Sequence, residues 1–336
     1  MRRIATTVMT SAFALTLIAA PTLANQGQGA DQSQSHGQSQ GQGHGKGHGL
    51  ENPNVVELTS EGHHFIGLPE EIPSGWTTFR YHNNSAGEHL AYLVDLPEFD
   101  GTQITSEHSV KEVAPVFQAA MDRIIDGDEP LDAFAEFADL PPWYWHVVPM
   151  GGPGLVAPGE VAETTVYLEP GHYQLECYVK SLDGNTGYHV FHTETMIEDL
   201  VVTDEDSGAN EPVADFEVNL TQDGIEIDGD VRPGQRTFKV NLNDASAPHG
   251  NFLGNSVHIA RLDHDTDVDE LDAWMNWVDP DGLSITPPAT FLGGVNGMPG
   301  GSTAYVSVHL TPGEYAFISE VDNPRDKDML ETVSVP

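Results

Sequence analysis

The chain has 336 residues and carries 13 Lys and Arg against 52 Asp and Glu, a formal net charge of -39. Binding to phosphate backbones needs clustered cations, so this balance excludes nucleic acid as a partner. The single cysteine cannot form an internal disulfide, which leaves buried cores to hold the fold.

Residues 1–24, "MRRIATTVMTSAFALTLIAAPTLA", combine two arginines, an apolar run and a small-residue cleavage site. This is the pattern of a secretory signal peptide, so the mature protein is expected outside the cytoplasm, periplasmic or extracellular. No later stretch approaches the roughly 18 to 20 apolar residues of a membrane span. Residues 25–52 are almost wholly Gln, Gly, Ser and His and have nothing to bury, so they read as a disordered tether. Its His36, His44 and His48 are the kind of imidazoles that bind metal loosely, and a polar spacer is the other reading. The acidic residues are spread along the mature chain, as in adaptation to high salt, where counterions screen self-repulsion. The alternative is an acidic docking face for a basic partner.

From Val55 onward, short alternating or β-branched runs are separated by Gly, Pro, Asn and Asp, the texture of antiparallel strands joined by turns. The first half contains "IPSGWTTFRYHNN", "EHLAYL", "MGGPG", "TTVYLEPGHYQLEC" and "MIEDLVV". After the acidic break at 205–212 the second half offers "VRPGQRTFKVNLN", "VHIARL", "LGGVNG", "AYVSVHLTPGEYAFIS" and "MLETVSV" in the same order. The repeated order predicts one all-β unit present twice, at 53–204 and 213–336. Each unit has a helical insertion, with capping boxes expected at Ser109 and Glu112 and at Thr266 and Asp269. In the first insertion Val113, Val116, Phe117, Met121 and Ile124 recur at helical steps, as in a helix lying on a sheet.

Pro170-Gly171 and Pro312-Gly313 make tight turns between strands. Tyr173, Leu175, Cys177 and Val179 then alternate at period two, so the thiol points inward with the core rather than outward as a reactive nucleophile.

"NNSAGEHL", followed far downstream by "LEPGHYQLEC" and then by histidine and methionine before a last strand, resembles the cupredoxin family. The resemblance covers nearly all of the first unit and extends more weakly to the second. It implies two tandem Greek-key antiparallel β-sandwiches and one type 1-like copper ion in the first. The ligands it implies are His89, Cys177, either His189 or His192, and Met196. Two imidazoles, a thiolate and a weak thioether accept both Cu(I) and Cu(II) with little rearrangement, which suits electron transfer or copper holding and implies a redox partner protein. Here the histidines follow the cysteine at twelve and fifteen residues, where the family has a much shorter interval. In the second unit His258 and Met329 match His89 and Met196, while Ser319 and Arg325 stand where Cys177 and His192 would be, so no complete copper site is expected there.

His63 and His64 lie beside a strand edge as minor candidates for a metal ligand, since at most one of two adjacent side chains points inward. "PPWYWHVVPMGGPG" is aromatic and proline-rich, suited to covering a metal edge or contacting a partner, with core packing the leading reading of Trp143 and Trp145. A copper oxidase is disfavoured, because the folded region has no His-x-His and Cys177 is flanked by Glu176 and Tyr178. A metal-free interaction module on the same two sandwiches is the remaining alternative.

Overall fold

The computed structural model describes residues 54–182, 189–191, 195–221, 223–243, 255–264, 266–284, 286–321 and 323–336, with the backbone alone for Leu182, His189, Val190, Phe191 and Asn255. The expected signal peptide and tether therefore lie outside the described residues. From Asn54 on, the chain is mostly β-structure arranged as two sandwich halves, each with a helical insertion.

In the first half the strand Glu71–Asn83 belongs to both sheets. Residues 71–74 run parallel to strand Ile197–Asp206, and 75–82 run antiparallel to strand Val161–Leu168. The change of partner falls at Gly75, where φ is 108° and a Cβ would stand 2.7 Å from Ser207 Oγ. A side chain would meet both strain and a clash there. Beyond this point burial alternates strictly, with Thr77, Phe79, Tyr81 and Asn83 inward. Strand Asn54–Ser60 lies parallel on its free side. The opposing sheet continues antiparallel from Ile197–Asp206 through Gly171–Glu176 and Tyr92–Asp95 to Val148–Pro149.

The second half has the same order of ladders. Strand Gly234–Leu242 takes Phe216–Thr221 in parallel and Thr303–Leu310 antiparallel. Opposite it, Thr290–Met298, Asn255–Leu262, Gly313–Ile318 and Leu330–Val335 run antiparallel in that order. Most ladders are antiparallel, but each half contains a parallel pair involving its first strand. Side-chain alternation is the same in both pairings, so sequence texture does not distinguish them. The turn after Pro170 and the turn after Pro312 are braced alike. Tyr173 donates its hydroxyl to the Glu169 carbonyl at 2.8 Å, and Tyr315 donates to that of Thr311 at 2.9 Å.

Strands Val161–Leu168 and Thr303–Leu310 pair edge to edge, so both sheets of the first half, continuous through Glu71–Asn83, join one sheet of the second in a twelve-stranded sheet. Mutual pairing removes two exposed edges that would otherwise template aggregation. The glycine-rich landmarks of the two halves meet beside this seam. Gly154 N donates to Gly294 O at 3.0 Å, and Asn296 Nδ2 donates to Pro153 O at 2.7 Å. A Cβ on Gly154 would stand 2.8 Å from His258 Nδ1 and 2.9 Å from the Gly294 backbone, so the close approach itself requires glycine.

The insertions differ from expectation in their caps and their packing. The first begins at Thr105, whose amide donates to His108 Nδ1 at 3.2 Å, four residues before the expected cap. Ser109 is instead buried, its hydroxyl donating to Gln174 Oε1 at 2.6 Å, and Glu112 accepts the Trp143 indole N–H at 2.9 Å. In the second insertion Asp267, one residue after Thr266, caps helix Val268–Trp274 by accepting the Asp269 amide at 2.9 Å. Helix Ala114–Ile125 buries Ala114, Ala120 and Met121. Phe117 meets Phe137 of its own insertion at 4.9 Å and Trp277 of the second half at 6.4 Å, and Phe134 stacks on Trp277 at 5.9 Å. The aromatic faces of the two insertions thus cover one another rather than a sheet alone. Trp143 is buried as expected, whereas Trp145 is 59% exposed, contrary to its reading as a core residue.

Candidate metal centre

Cys177 directly follows strand Gly171–Glu176, and the ladder with Ile197–Asp206 sets it opposite Met196, whose carbonyl accepts the Cys177 amide at 2.9 Å. His89 comes from the segment just before strand Tyr92–Asp95. It is fixed there by a two-way backbone bridge, His89 N to Val156 O at 3.3 Å and Val156 N to His89 O at 2.9 Å. Asn83 adds a clamp, its amide donating to the Gly87 carbonyl at 2.8 Å and the Val156 carbonyl at 2.7 Å. These constraints bring His89 Nδ1 to 3.5 Å from Cys177 Sγ. His89, Cys177 and Met196 are all essentially inaccessible to solvent.

Burial pushes the Cys177 thiol up to about 12, with the charge of Glu176 adding to the rise, while hydrogen bonds from the backbone amides of Leu90 and Val179 oppose it. Without a cation the sulfur stays protonated at neutral pH, and the two amides are already placed to stabilise the thiolate. Burial also pushes the His89 imidazole down to about 4, helped by nearby His63 and opposed by the Gly62 backbone. A neutral ring is the form that binds a metal. A buried thiol, a neutral imidazole at its side and a methionine opposite it form a donor set that fits copper. Among the described residues, no three His, Cys, Asp or Glu side chains are grouped to hold an ion.

Of the two histidines after the cysteine, His189 lies in a strand whose backbone pairs it with Leu182, and His192 lies outside the described residues. A further histidine packs against His89. His63, in the turn after Asn54–Ser60, has its ring centroid 6.0 Å from that of His89 at an interplanar angle of 73°. No spacing pattern links the two, because the parallel ladder that aligns their segments is not visible in local sequence.

The second half repeats the backbone of this site without its chemistry. Ser319 N donates to Met329 O at 3.0 Å, matching the pairing of Cys177 with Met196. His258 is fully buried, and burial alone pushes it down to about 3. Its Nδ1 accepts the Leu155 amide at 3.0 Å, so the nitrogen equivalent to the one facing sulfur in the first half is already occupied. Arg325, where His192 would be, donates its amide to Asp272 Oδ1 at 2.7 Å and its guanidinium to Asp269, tying this loop to the helical insertion.

No family model matches the chain, and no curated protein matches it. Among solved structures it is similar to auracyanin A, a blue copper protein from Chloroflexus aurantiacus, at 24% identity and a TM-score of 0.27, over 45% of this chain and 100% of that one. Auracyanin from Roseiflexus castenholzii matches at 19% identity and a TM-score of 0.25, over 45% and 97%. A copper nitrite reductase from Nitrosomonas europaea matches at 10% identity and a TM-score of 0.21, over 85% and 94%. Scores this low do not establish common structure, and the functional reading stands on the chain's own geometry.

Proposed function

We propose that the chain is an exported cupredoxin-like protein whose first half binds one copper ion, for electron transfer or copper holding, and passes electrons to or from a protein partner. The observation that carries this reading is the 3.5 Å approach of His89 Nδ1 to Cys177 Sγ, both buried, with buried Met196 across the ladder from the cysteine. Copper held there supplies reversible one-electron chemistry. The protein's own contribution is to exclude water, to present His89 as the neutral ring, and to hold the sulfur by the Leu90 and Val179 amides as it loses its proton. The sequence offers His189 or His192 for the second imidazole.

The matched ladders and the matched Cys177–Met196 and Ser319–Met329 pairings support 53–204 and 213–336 as duplicate units. The second unit, with Ser319 and Arg325 where Cys177 and His192 would be, acts as a structural partner joined through the shared sheet. The diffuse negative charge suits a high-salt surrounding.

Thermal unfolding with and without Cu(II) tests the reading. A ligand that binds only the folded state at about 100 times its Kd stabilises by about 2.7 kcal/mol, so the midpoint rises in the native protein and not in Cys177→Ser. An equal midpoint with and without copper contradicts it and favours the metal-free interaction module.

A further inference from the structure

We propose that the second half carries a docking groove for an extended, basic segment of a protein partner, which adds as a strand to the outer edge of Leu330–Val335. The groove belongs to a different part of the chain from the candidate metal centre, and its function does not depend on copper.

The two halves differ at one place in their ladders. In the first, residues 71–74 lie parallel on the outer side of Ile197–Asp206, with Val201 N donating to Glu70 O at 3.0 Å and Ser207 N to Ser74 O at 2.9 Å. The equivalent run in the second is 230–233, which likewise leads into a glycine, Gly234, at a φ of 110° against 108° at Gly75. The strand there begins only at Gly234. Among the described residues no ladder joins 230–233 to Leu330–Val335, which is the outermost strand of its sheet. A groove of about 580 Å³ separates them, lined on one side by Ile227, Val231 and Arg232 and on the other by Glu331, Val333 and Ser334.

The backbone of this edge is set to receive a strand. Ser319 N donates to Met329 O at 3.0 Å, which fixes the alternation of the antiparallel ladder, so the backbone groups of Leu330, Thr332 and Ser334 turn outward. Ser334 holds the place of Val201, whose outward amide is the one bonded to Glu70 in the first half. The opposite lip is a sheet edge too. Gly224–Asp228 is outermost in the twelve-stranded sheet, and Ile225 N donates to Asp328 O at 3.0 Å, joining the two edges beside the groove. Such edges recognise extended peptides, with main-chain hydrogen bonds giving affinity and alternate side chains giving specificity.

Charge selects the occupant. Glu226, Asp228, Asp230 and Glu331 are exposed along the two lips, with Arg232 as the opposing charge. A second copy of a chain with net charge -39 is repelled by them. A segment with lysine or arginine at alternate positions meets the carboxylates, while its intervening apolar side chains reach Ile227, Val231 and Val333.

The test uses the full chain and a short fluorescent peptide alternating lysine with valine, with binding read by anisotropy and its position by amide hydrogen exchange. Circular dichroism checks that each variant is folded. The native protein is expected to bind, with exchange slowed in Leu330–Val335 and unchanged in Ile197–Asp206, where the equivalent edge is already paired. Thr332→Pro removes an outward donor at an edge position that tolerates proline, and is expected to weaken binding by about ten-fold or more. Glu331→Lys is expected to weaken it several-fold, whereas Glu98→Lys, the same charge change in the first half, leaves it unaltered. A peptide with proline in place of valine is expected not to bind. Failure of the native protein to bind, equal binding of the proline peptide, equal effects of Glu331→Lys and Glu98→Lys, or slowed exchange that spares Leu330–Val335 would each overturn the proposal. A native dimer that Thr332→Pro converts to monomer would assign the edge to a second copy and overturn it as well.

Discussion

The Leu155 amide donates to His258 Nδ1 at 3.0 Å, whereas the matching nitrogen of His89 faces the sulfur of Cys177 at 3.5 Å. The same scaffold position thus meets a backbone donor in one half and the thiol in the other. Supplying the missing thiol does not undo the Leu155 contact. Ser319→Cys is therefore expected to leave the copper stoichiometry at one per chain and the visible spectrum unchanged. A second equivalent of tightly bound copper in that variant, measured by metal analysis after dialysis, would show that the Leu155 contact does not block the site.

His258 also gives a pH dependence of definite sign. Unfolded, its imidazole takes a proton near 6.5; folded, burial delays this to about 3. Between those values the unfolded chain holds one more proton, so acid favours unfolding, and stability gained from the neutral ring is lost as pH falls from about 6.5 to about 3. One proton corresponds to about 1.4 kcal/mol per pH unit. In denaturant titrations across this window the native protein is expected to show a steeper fall than His258→Gln by about that amount. Parallel slopes would contradict it.

Gly154→Ala tests the seam between the halves. A methyl group there meets His258 Nδ1 at 2.8 Å and the Gly294 backbone at 2.9 Å, and neither neighbour is a flexible side-chain end. Overpacking of this kind costs about 1 to 3 kcal/mol. The denaturation midpoint is expected to fall accordingly, while the equivalent change at Gly159, which meets no atom within 4 Å but has a φ of 82°, costs backbone strain without a clash. Equal losses in the two variants would remove close approach as the reason for Gly154.

Much of this was legible in the sequence, and the missing parts share a cause. The Pro-Gly turns, the inward alternation through Tyr173, Leu175 and Cys177, and the order of landmarks in both halves are local patterns, and the strands follow them. The sheet change at Gly75, the parallel first strands and the meeting of Gly154 with Gly294 depend on residues distant in sequence, and no periodicity encodes them. The caps moved for a tertiary reason, since Ser109 satisfies Gln174 in the sheet instead of a helix end. At the candidate centre, the ladder that sets Cys177 opposite Met196 follows from local strand pattern, whereas the ring contact of His63 with His89 depends on the parallel ladder of Asn54–Ser60 with Glu71–Asn83.

The net charge of -39 sets a salt dependence. Raising ionic strength from 0.1 to 1 M shortens the screening length from about 10 Å to about 3 Å and weakens repulsion among dispersed carboxylates. The few exposed ion pairs, such as Lys111 with Glu107, lose little by the same screening. The thermal midpoint is therefore expected to rise with KCl over this range. A midpoint that falls or stays level would contradict adaptation of this surface to high salt.

The most direct measurement is the visible absorption spectrum of the purified protein during stepwise addition of Cu(II), run beside Cys177→Ser. The account predicts an intense sulfur-to-copper band that saturates at one copper per chain and is absent from the serine variant. A native protein that stays colourless, or a band that survives the loss of the thiol, would contradict it.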